Sequence, residues 1–482
     1  MSEKKSFSQQ MKSGLAYTAL AKYSGIFISL LISSVLARLL PPKAFGVIAV
    51  ATVFIVFFSI FSDMGLSSAI IQKRNLTEKD YNNLFSFTAY SGIILGILFF
   101  LCSSLIAKFY GDPQLNNICR LLSLNILFAT WNIVPNGLLL RDKEFKFIGI
   151  RTLGVQIILG VISIVAAYMG AGVYALLINP VLGSFLIFIL NYYKQPVGFI
   201  IKPKVESIKK VASYSIYTFG FSLINYFTRN LDKLFVGKVF GLIPLGYYEK
   251  SYRLMMLPVQ NLSQVITPVL HPVLADFQDN LNDQIAKYLK LVRLLAIIGM
   301  PVSAFLFFSA DQLVLIIFGK QWVPSIPVFK ILSLSVGLQI VASTSGAIYQ
   351  AMNRTKVMFY LGMANTAINV MGLLFGVYIL KSIEGVAWMW VITFYLGLWN
   401  NIVLAKCARL SIMDTFRPYI PSIFPTLICA TILYGISLMR IESLIISLLL
   451  NTSVLLVIEG ISAQYFKIVD LKSTILKIKN KF

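Results

Sequence analysis

The sequence predicts an all-α integral membrane protein: fourteen transmembrane helices, built as two parallel six-helix repeats around a central cavity, plus two C-terminal helices. Three observations carry this. Over 482 residues, 57% are hydrophobic and only 13% charged, whereas a soluble chain of that length needs far more charge on its surface. Landmarks of the chain come twice in the same order. Ala37-Arg38, Pro41-Pro42 and Phe45-Gly46 are answered some two hundred residues later by Gly237-Lys238, Pro244 and Leu245-Gly246. Likewise, Tyr110-Gly111 followed by Arg120-Leu121-Leu122-Ser123-Leu124 is answered by Phe318-Gly319 followed by Lys330-Ile331-Leu332-Ser333-Leu334. Finally, basic residues crowd alternate connections, as they do in multi-pass chains.

Stretches of about 20 apolar residues mark the spans in order. The first six lie near 14–37, 46–71, 84–108, 118–140, 150–169 and 173–193, with Arg38, Lys73-Arg74, Lys108, Arg141 and Lys194 at or near their ends. The next six lie near 213–237, 247–270, 291–310, 325–350, 357–380 and 385–405, interrupted by Lys238, His271-Pro272, Lys320, Arg354, Lys381 and Lys406. Spans 418–438 and 443–466 follow, with Arg440 between them. Residues 1–193 therefore form an N-terminal bundle and 213–406 a C-terminal bundle. Residues 194–212, with Lys202-Pro203-Lys204 and Lys209-Lys210, read as a cytoplasmic amphipathic linker on the anionic inner leaflet. The remainder, 407–482, supplies two additional helices and a basic cytoplasmic tail. Because six is even, both bundles enter the membrane in the same sense, related by a pseudo-two-fold axis along its normal.

The formal net charge of +23 is a topology device. With the N-terminus inside, the cytoplasmic segments take most of the lysines and arginines, and only Arg38, Lys43, Lys108, Lys238, Lys320, Lys381 and Arg440 fall on the other side. Both termini are thus expected in the cytoplasm, and no nucleic acid is needed to explain the charge. The first apolar segment is too long for a signal-peptide core. The four cysteines, Cys102, Cys119, Cys407 and Cys429, have no paired spacing and imply neither a disulfide framework nor a metal site. No catalytic or nucleotide-binding signature occurs, and the outward loops are too short to hold a glycan acceptor, so neither an enzyme nor a cofactor is expected.

A charge at the bilayer centre costs about 2.5–3.5 kcal/mol, so each intramembrane ionisable group is a candidate for function. The bases are Lys22, Arg120, Arg229, Lys233, Lys250, Arg253 and Lys330; the acids are Asp63 and Asp232. In the seventh span, Ser222, Asn225, Arg229 and Asp232 are spaced three, four and three apart, with Lys233 adjoining, so they share one helical face. Two readings of that stripe stand: an Arg229–Asp232 pair that neutralises itself, or a cationic wall of a wet cavity polar at Asn225 and Ser222. Lys250 and Arg253 lie one turn apart near an outer span end, as cavity cations or as snorkelling anchors. Arg120 and Lys330 read as anchors, and Lys22 as cavity-lining.

The run Asp63-Met64-Gly65-Leu66-Ser67-Ser68-Ala69-Ile70-Ile71-Gln72 resembles the bacterial polysaccharide flippases. So does Asn230-Leu231-Asp232-Lys233-Leu234-Phe235-Val236-Gly237-Lys238, continuing through Leu245-Gly246-Tyr247-Tyr248 to Tyr252-Arg253-Leu254 and Pro258. These export O-antigen, exopolysaccharide or teichuronic acid units, within the multidrug/oligosaccharidyl-lipid/polysaccharide exporter superfamily. The resemblance implies a V-shaped pair of bundles in the bacterial inner membrane. The implied cargo is an undecaprenyl-pyrophosphate-linked oligosaccharide, moved from the cytoplasmic to the outer leaflet by alternating access. It also implies membrane lipids, a glycan polymerase and glycosyltransferases as partners. H+ or Na+ antiport stays open, with Asp63 and Asp232 as its candidates. The alternatives are a cation-coupled multidrug exporter, which would want acids to outnumber bases, and a lipid II flippase, which would carry additional arginines in the first span.

Overall fold

The computed structural model describes residues 7–73, 75–275, 280–439 and 441–466, and among these the regular elements are all helical. In order they are α1 (Phe7–Leu39), α2 (Pro42–Asp63), α3 (Leu66–Gln72), α4 (Glu78–Tyr110), α5 (Gln114–Trp131), α6 (Ile133–Arg141) and α7 (Phe145–Tyr168). Next come α8 (Ile178–Lys194), α9 (Val205–Val239), α10 (Leu242–Ala275), α11 (Leu281–Phe308), α12 (Ala310–Ile317), α13 (Ser325–Ser333) and α14 (Val336–Ala342). The last are α15 (Ser345–Ala351), α16 (Thr355–Phe375), α17 (Ile383–Leu396), α18 (Asn400–Ala408), α19 (Ile412–Phe416), α20 (Ile420–Leu438) and α21 (Leu444–Tyr465). The chain divides into two compact units, Met1–Gly246 and Tyr247–Phe482.

Eleven of the described helices or helix pairs are long and apolar enough to cross a membrane, and a pair bent by 47° at Ser333–Val336 makes at most twelve. That is fewer than the fourteen expected. The expected spans at 213–237 and 247–270 fall on α9 and α10, which are 35 and 34 residues long. At 1.5 Å per residue each exceeds about 50 Å, ample for a hydrocarbon core of about 30 Å. Length does not exclude them; polarity does. Arg229, Asp232 and Lys233 in α9, and Glu249, Lys250 and Arg253 in α10, dilute their apolar stretches.

In unit 1 the expected linker over 194–212 is shorter than its sequence suggests. Pro196 and Pro203 keep residues 195–204 out of a helix, and α4 holds this segment in place. The Gly198 and Ile200 amides donate to Asn82 Oδ1 and Ser86 Oγ, each at 2.7 Å, and the Lys204 amide donates to Asn83 Oδ1 at 2.9 Å. From Val205 onward the chain is already α9. Deeper in the unit, Arg151 Nη2 donates to Asn136 Oδ1 at 2.9 Å, and Asn191 Nδ2 donates to Asn132 Oδ1 at 2.7 Å, tying α5–α8 together. The apolar core gathers Leu66, Ile70, Leu84, Phe85 and Val134. On α4 the outward stripe Ile94, Ile97, Leu101 and Leu105 is 56–68% exposed, a lipid-facing surface.

Glycines set the closest approaches. A Cβ on Gly46 would lie 1.7 Å from the Leu242 carbonyl oxygen, and one on Gly246 would lie 2.2 Å from the Pro42 carbonyl oxygen. The N-terminal turns of α2 and α10 therefore meet backbone to backbone, reciprocally. Gly92 on α4 faces Thr130 on α5, and in unit 2 Gly299 on α11 faces Gly337 on α14. The same chain separation links Gly92 to Gly299 and Thr130 to Gly337. Unit 2 is bent at that point because hydroxyls compete for the helix carbonyls. Ser333 and Ser335 bond back to Lys330 and Leu332, and the Gly337 amide donates instead to Ser303 Oγ at 2.7 Å. The apolar packing of α20 and α21, at Cys429, Leu433 and Ile458, rests on Phe305 and Phe308 of α11.

Gly46→Ala and Gly246→Ala should each lower the thermal unfolding midpoint of the purified protein, on the order of 1–3 kcal/mol of stability apiece. Because both act on one contact, the double variant should lose distinctly less than the sum. Additive losses would show that the two glycines do not share a contact.

Candidate functional site

The polar face of α9 belongs to unit 1, where aromatic contacts fix the helix against α2. Phe57 sits with its ring centroid 5.4 Å from that of Tyr226, and Phe61 lies 5.1 Å from Phe219. Nearer Val239, the Tyr110 hydroxyl donates to the Leu234 carbonyl at 3.2 Å, and Lys238 Nζ donates to the Phe109 carbonyl. Lys43 and Asp112 pair at 2.6 Å, joining the start of α2 to the turn after α4. With one end of α9 so tied, Arg229 falls ten residues short of that end, about 15 Å along the axis.

Arg229 is exposed, and among the described residues it has neither a hydrogen bond nor an ion pair. Asp232 does not neutralise it. That carboxylate is buried at 4% exposure and accepts from the Lys233 amide at 2.8 Å. Lys233, half-buried, follows on nearly the same face as Arg229. The side chains of Ser222 and Asn225, expected to extend this face, lie outside the described residues. Lys22 is half-buried on α1, one turn before Gly25, whose carbonyl accepts from Gln156 Nε2 on α7 at 2.8 Å.

Asp63 has a local role. Its two carboxylate oxygens accept from the amides of Gly65 and Ser67, each at 3.2 Å. Between them Met64 and Gly65 take left-handed backbone angles, φ 42° and 77°, where α2 stops and α3 begins. The Asp63-Met64-Gly65 run is thus a helix break with a built-in N-terminal cap. Arg120 stacks over the Phe100 ring at 5.0 Å and Lys330 pairs with Asp311 at 2.6 Å, both consistent with anchoring.

In unit 2, Lys250 is enclosed at 2% exposure, with Nζ 4.9 Å from the Phe318 ring and 5.7 Å from the Trp322 ring. A snorkelling lysine does not have that setting; cation–π contact with buried rings contributes to holding it. Arg253, one turn on, is exposed. Two acids went unnoticed in the sequence, Glu249 beside Lys250 and Glu459 in α21. Glu459 has one oxygen buried without a hydrogen-bond partner among the described residues. Both stand inside expected spans, so a full tally of acids there would have found them.

Residues 35–327 match the family model described as polysaccharide biosynthesis protein. The chain is similar to the teichuronic acid biosynthesis protein TuaB of Bacillus subtilis (strain 168), 24% identical over 90% of each chain. It is also similar to the lipopolysaccharide biosynthesis protein WzxC of Escherichia coli (strain K12), 25% identical over 76% of this chain and 74% of that one. In fold it resembles the lipid II flippase MurJ in an inward closed conformation. The TM-score is 0.74 at 16% identity, over 93% of this chain and 99% of that one.

If Asp63 serves as a cap, Asp63→Asn, which keeps one of the two accepting oxygens, should lose distinctly less stability than Asp63→Ala, which should lose about 1 kcal/mol. Thermal unfolding separates them. Equal losses would contradict the capping role.

Proposed function

This chain belongs to the polysaccharide biosynthesis protein family, and we propose that it flips undecaprenyl-pyrophosphate-linked oligosaccharide repeat units from the cytoplasmic to the outer leaflet. It is a multi-pass protein of the bacterial inner membrane. In this reading α9 and α10 complete the fourteen spans, with both termini in the cytoplasm. Residues 1–193 and 213–406 are six-helix repeats joined by a linker at 194–212, and 407–482 adds two helices and a tail.

One observation carries the cargo assignment: Arg229 is exposed and, among the described residues, without a hydrogen bond or ion pair, on a helix that this reading sets across the membrane with Arg229 near mid-depth. Facing lipid, it would cost about 2.5–3.5 kcal/mol and return nothing. Facing a water-filled hollow, the same guanidinium stays hydrated until an anion arrives, then offers a bidentate grip on a phosphate. Lys233, Lys22 and Arg253 add positive charge, while Lys250 stabilises the fold from within its aromatic enclosure. The sugar and diphosphate head occupy the hollow, and the polyprenyl tail stays in lipid through a lateral opening. Alternation of the two bundles then exposes the head outward.

Electrical work assists that direction. An inside-negative potential contributes about 2.3 kcal/mol per charge per 100 mV, so a doubly charged head gains roughly 4–5 kcal/mol if its whole charge crosses. No nucleotide hydrolysis is required and no enzymatic step occurs. With Asp63 committed to a helix cap, Asp232 is the remaining coupling candidate from the sequence for H+ or Na+. The preponderance of bases over acids along these helices disfavours an organic cation as cargo.

Arg229→Ala should cut surface glycan at least tenfold in cells while the protein accumulates and unfolds as the parent does, and Arg229→Lys should recover part of it. Full surface glycan from a normally accumulating Arg229→Ala protein would overturn the assignment.

A further inference from the structure

A second basic site lies wholly within unit 2, remote in sequence from α9. A cavity of about 810 Å³ opens between the first three turns of α11 and the segment from Leu410 to Pro421 that leads into α20. Lys290, Arg293 and Arg417 line it, with Asp414 as the single acid. None of these four forms an ion pair among the described residues. The remaining wall is largely apolar, at Ile285, Leu289 and Ile420. Cations at the mouth of an apolar cleft at the end of membrane helices match a phosphate headgroup whose acyl chains continue along the helices.

A second observation points the same way. The Arg293 guanidinium stacks over the Phe466 ring at 5.2 Å, which brings the end of α21 to the same place. Immediately beyond Phe466 the sequence carries Lys467, Lys472, Lys477, Lys479 and Lys481. A lysine-rich segment directly after a membrane helix is a sequence signature of anionic-lipid binding. The cavity and the end of α21 therefore lie together at one corner of unit 2, and the basic run follows that end in sequence.

We infer that this cavity binds the headgroup of an anionic glycerophospholipid of the inner leaflet, at a site separate from the α9 face. The inference rests on the cytoplasmic placement of this end proposed above. Each basic side chain contributes to holding the phosphate, and Asp414 opposes it, limiting affinity so that the lipid exchanges.

The test uses the full-length protein in nanodiscs of dioleoyl-phosphatidylcholine with a minor fraction of dioleoyl-phosphatidylglycerol, with retained lipids counted by native mass spectrometry. The parent protein should retain phosphatidylglycerol preferentially, and the preference should fall about fivefold for each basic side chain removed among Lys290→Gln, Arg293→Gln and Arg417→Gln. Asp414→Asn should raise it, an outcome that misfolding cannot mimic. Unchanged retention in the triple variant, or no gain in Asp414→Asn, would overturn the inference. Displacement of the lipid by an equal concentration of inorganic phosphate would also overturn it, by showing a site for free phosphate. Sidedness is read separately, by labelling Ser411→Cys in a cysteine-free background with a membrane-impermeant thiol reagent. Labelling from the cytoplasmic side alone is expected. Labelling from outside would sink the topology while leaving the lipid count to stand or fall by itself, and neither readout depends on glycan export.

Discussion

An ionised side chain cannot be left facing hydrocarbon, and the organisation proposed for this protein follows from that constraint. α9 is long enough to cross a bilayer yet too polar to qualify by composition, and the residues that disqualify it are the ones that need water at depth. A helix of this kind is stable in a membrane only if its charged face is turned toward other protein or toward a wet space. Asp232 and Lys250 take the first solution: one is buried against its own backbone, the other is enclosed by Phe318 and Trp322. Arg229 takes neither, since it is open and unpartnered among the described residues. The proposed hydrated hollow would keep its guanidinium solvated.

The framework that can hold such a hollow open is set by close backbone contacts. Lipid provides no hydrophobic drive for helices to associate, so packing depends on small residues that let backbones approach. Gly46 and Gly246 do this where α2 meets α10, and Gly299 with Gly337 does it inside unit 2. The contact of Gly92 with Thr130 repeats the last of these at the matching place in unit 1. Both are close approaches that a side chain larger than glycine would disturb.

Much of the fold was legible because membrane helices announce themselves by length and composition. Eleven, or at most twelve, of the expected spans are helices long and apolar enough to cross a membrane, and the polysaccharide-export resemblance seen in the Asp63 and Asn230 runs agrees with the family match. Local breaks were not legible. The stop at Asp63-Met64-Gly65 and the bend at Ser333–Val336 depend on which amide a particular side chain captures, and a window of about 20 residues averages that away. The early start of α9 was missed because its first turns are polar, and because residues 195–204 are held by α4, more than a hundred residues earlier. The burial of Lys250 is not legible for a related reason: the rings beside it come from about seventy residues further along the chain.

The most direct test of the central claim is a water-accessibility scan of α9. Single cysteines are placed at 222, 225, 227, 229 and 233 in a cysteine-free background and treated with a hydrophilic thiol reagent in intact membranes. A wet polar face predicts fast labelling at 222, 225, 229 and 233, and little labelling at 227, where Phe227 stands on the opposite side. Labelling at 227 with silence at 229 would mean that the charged face meets packed protein or lipid, and the hollow would not exist.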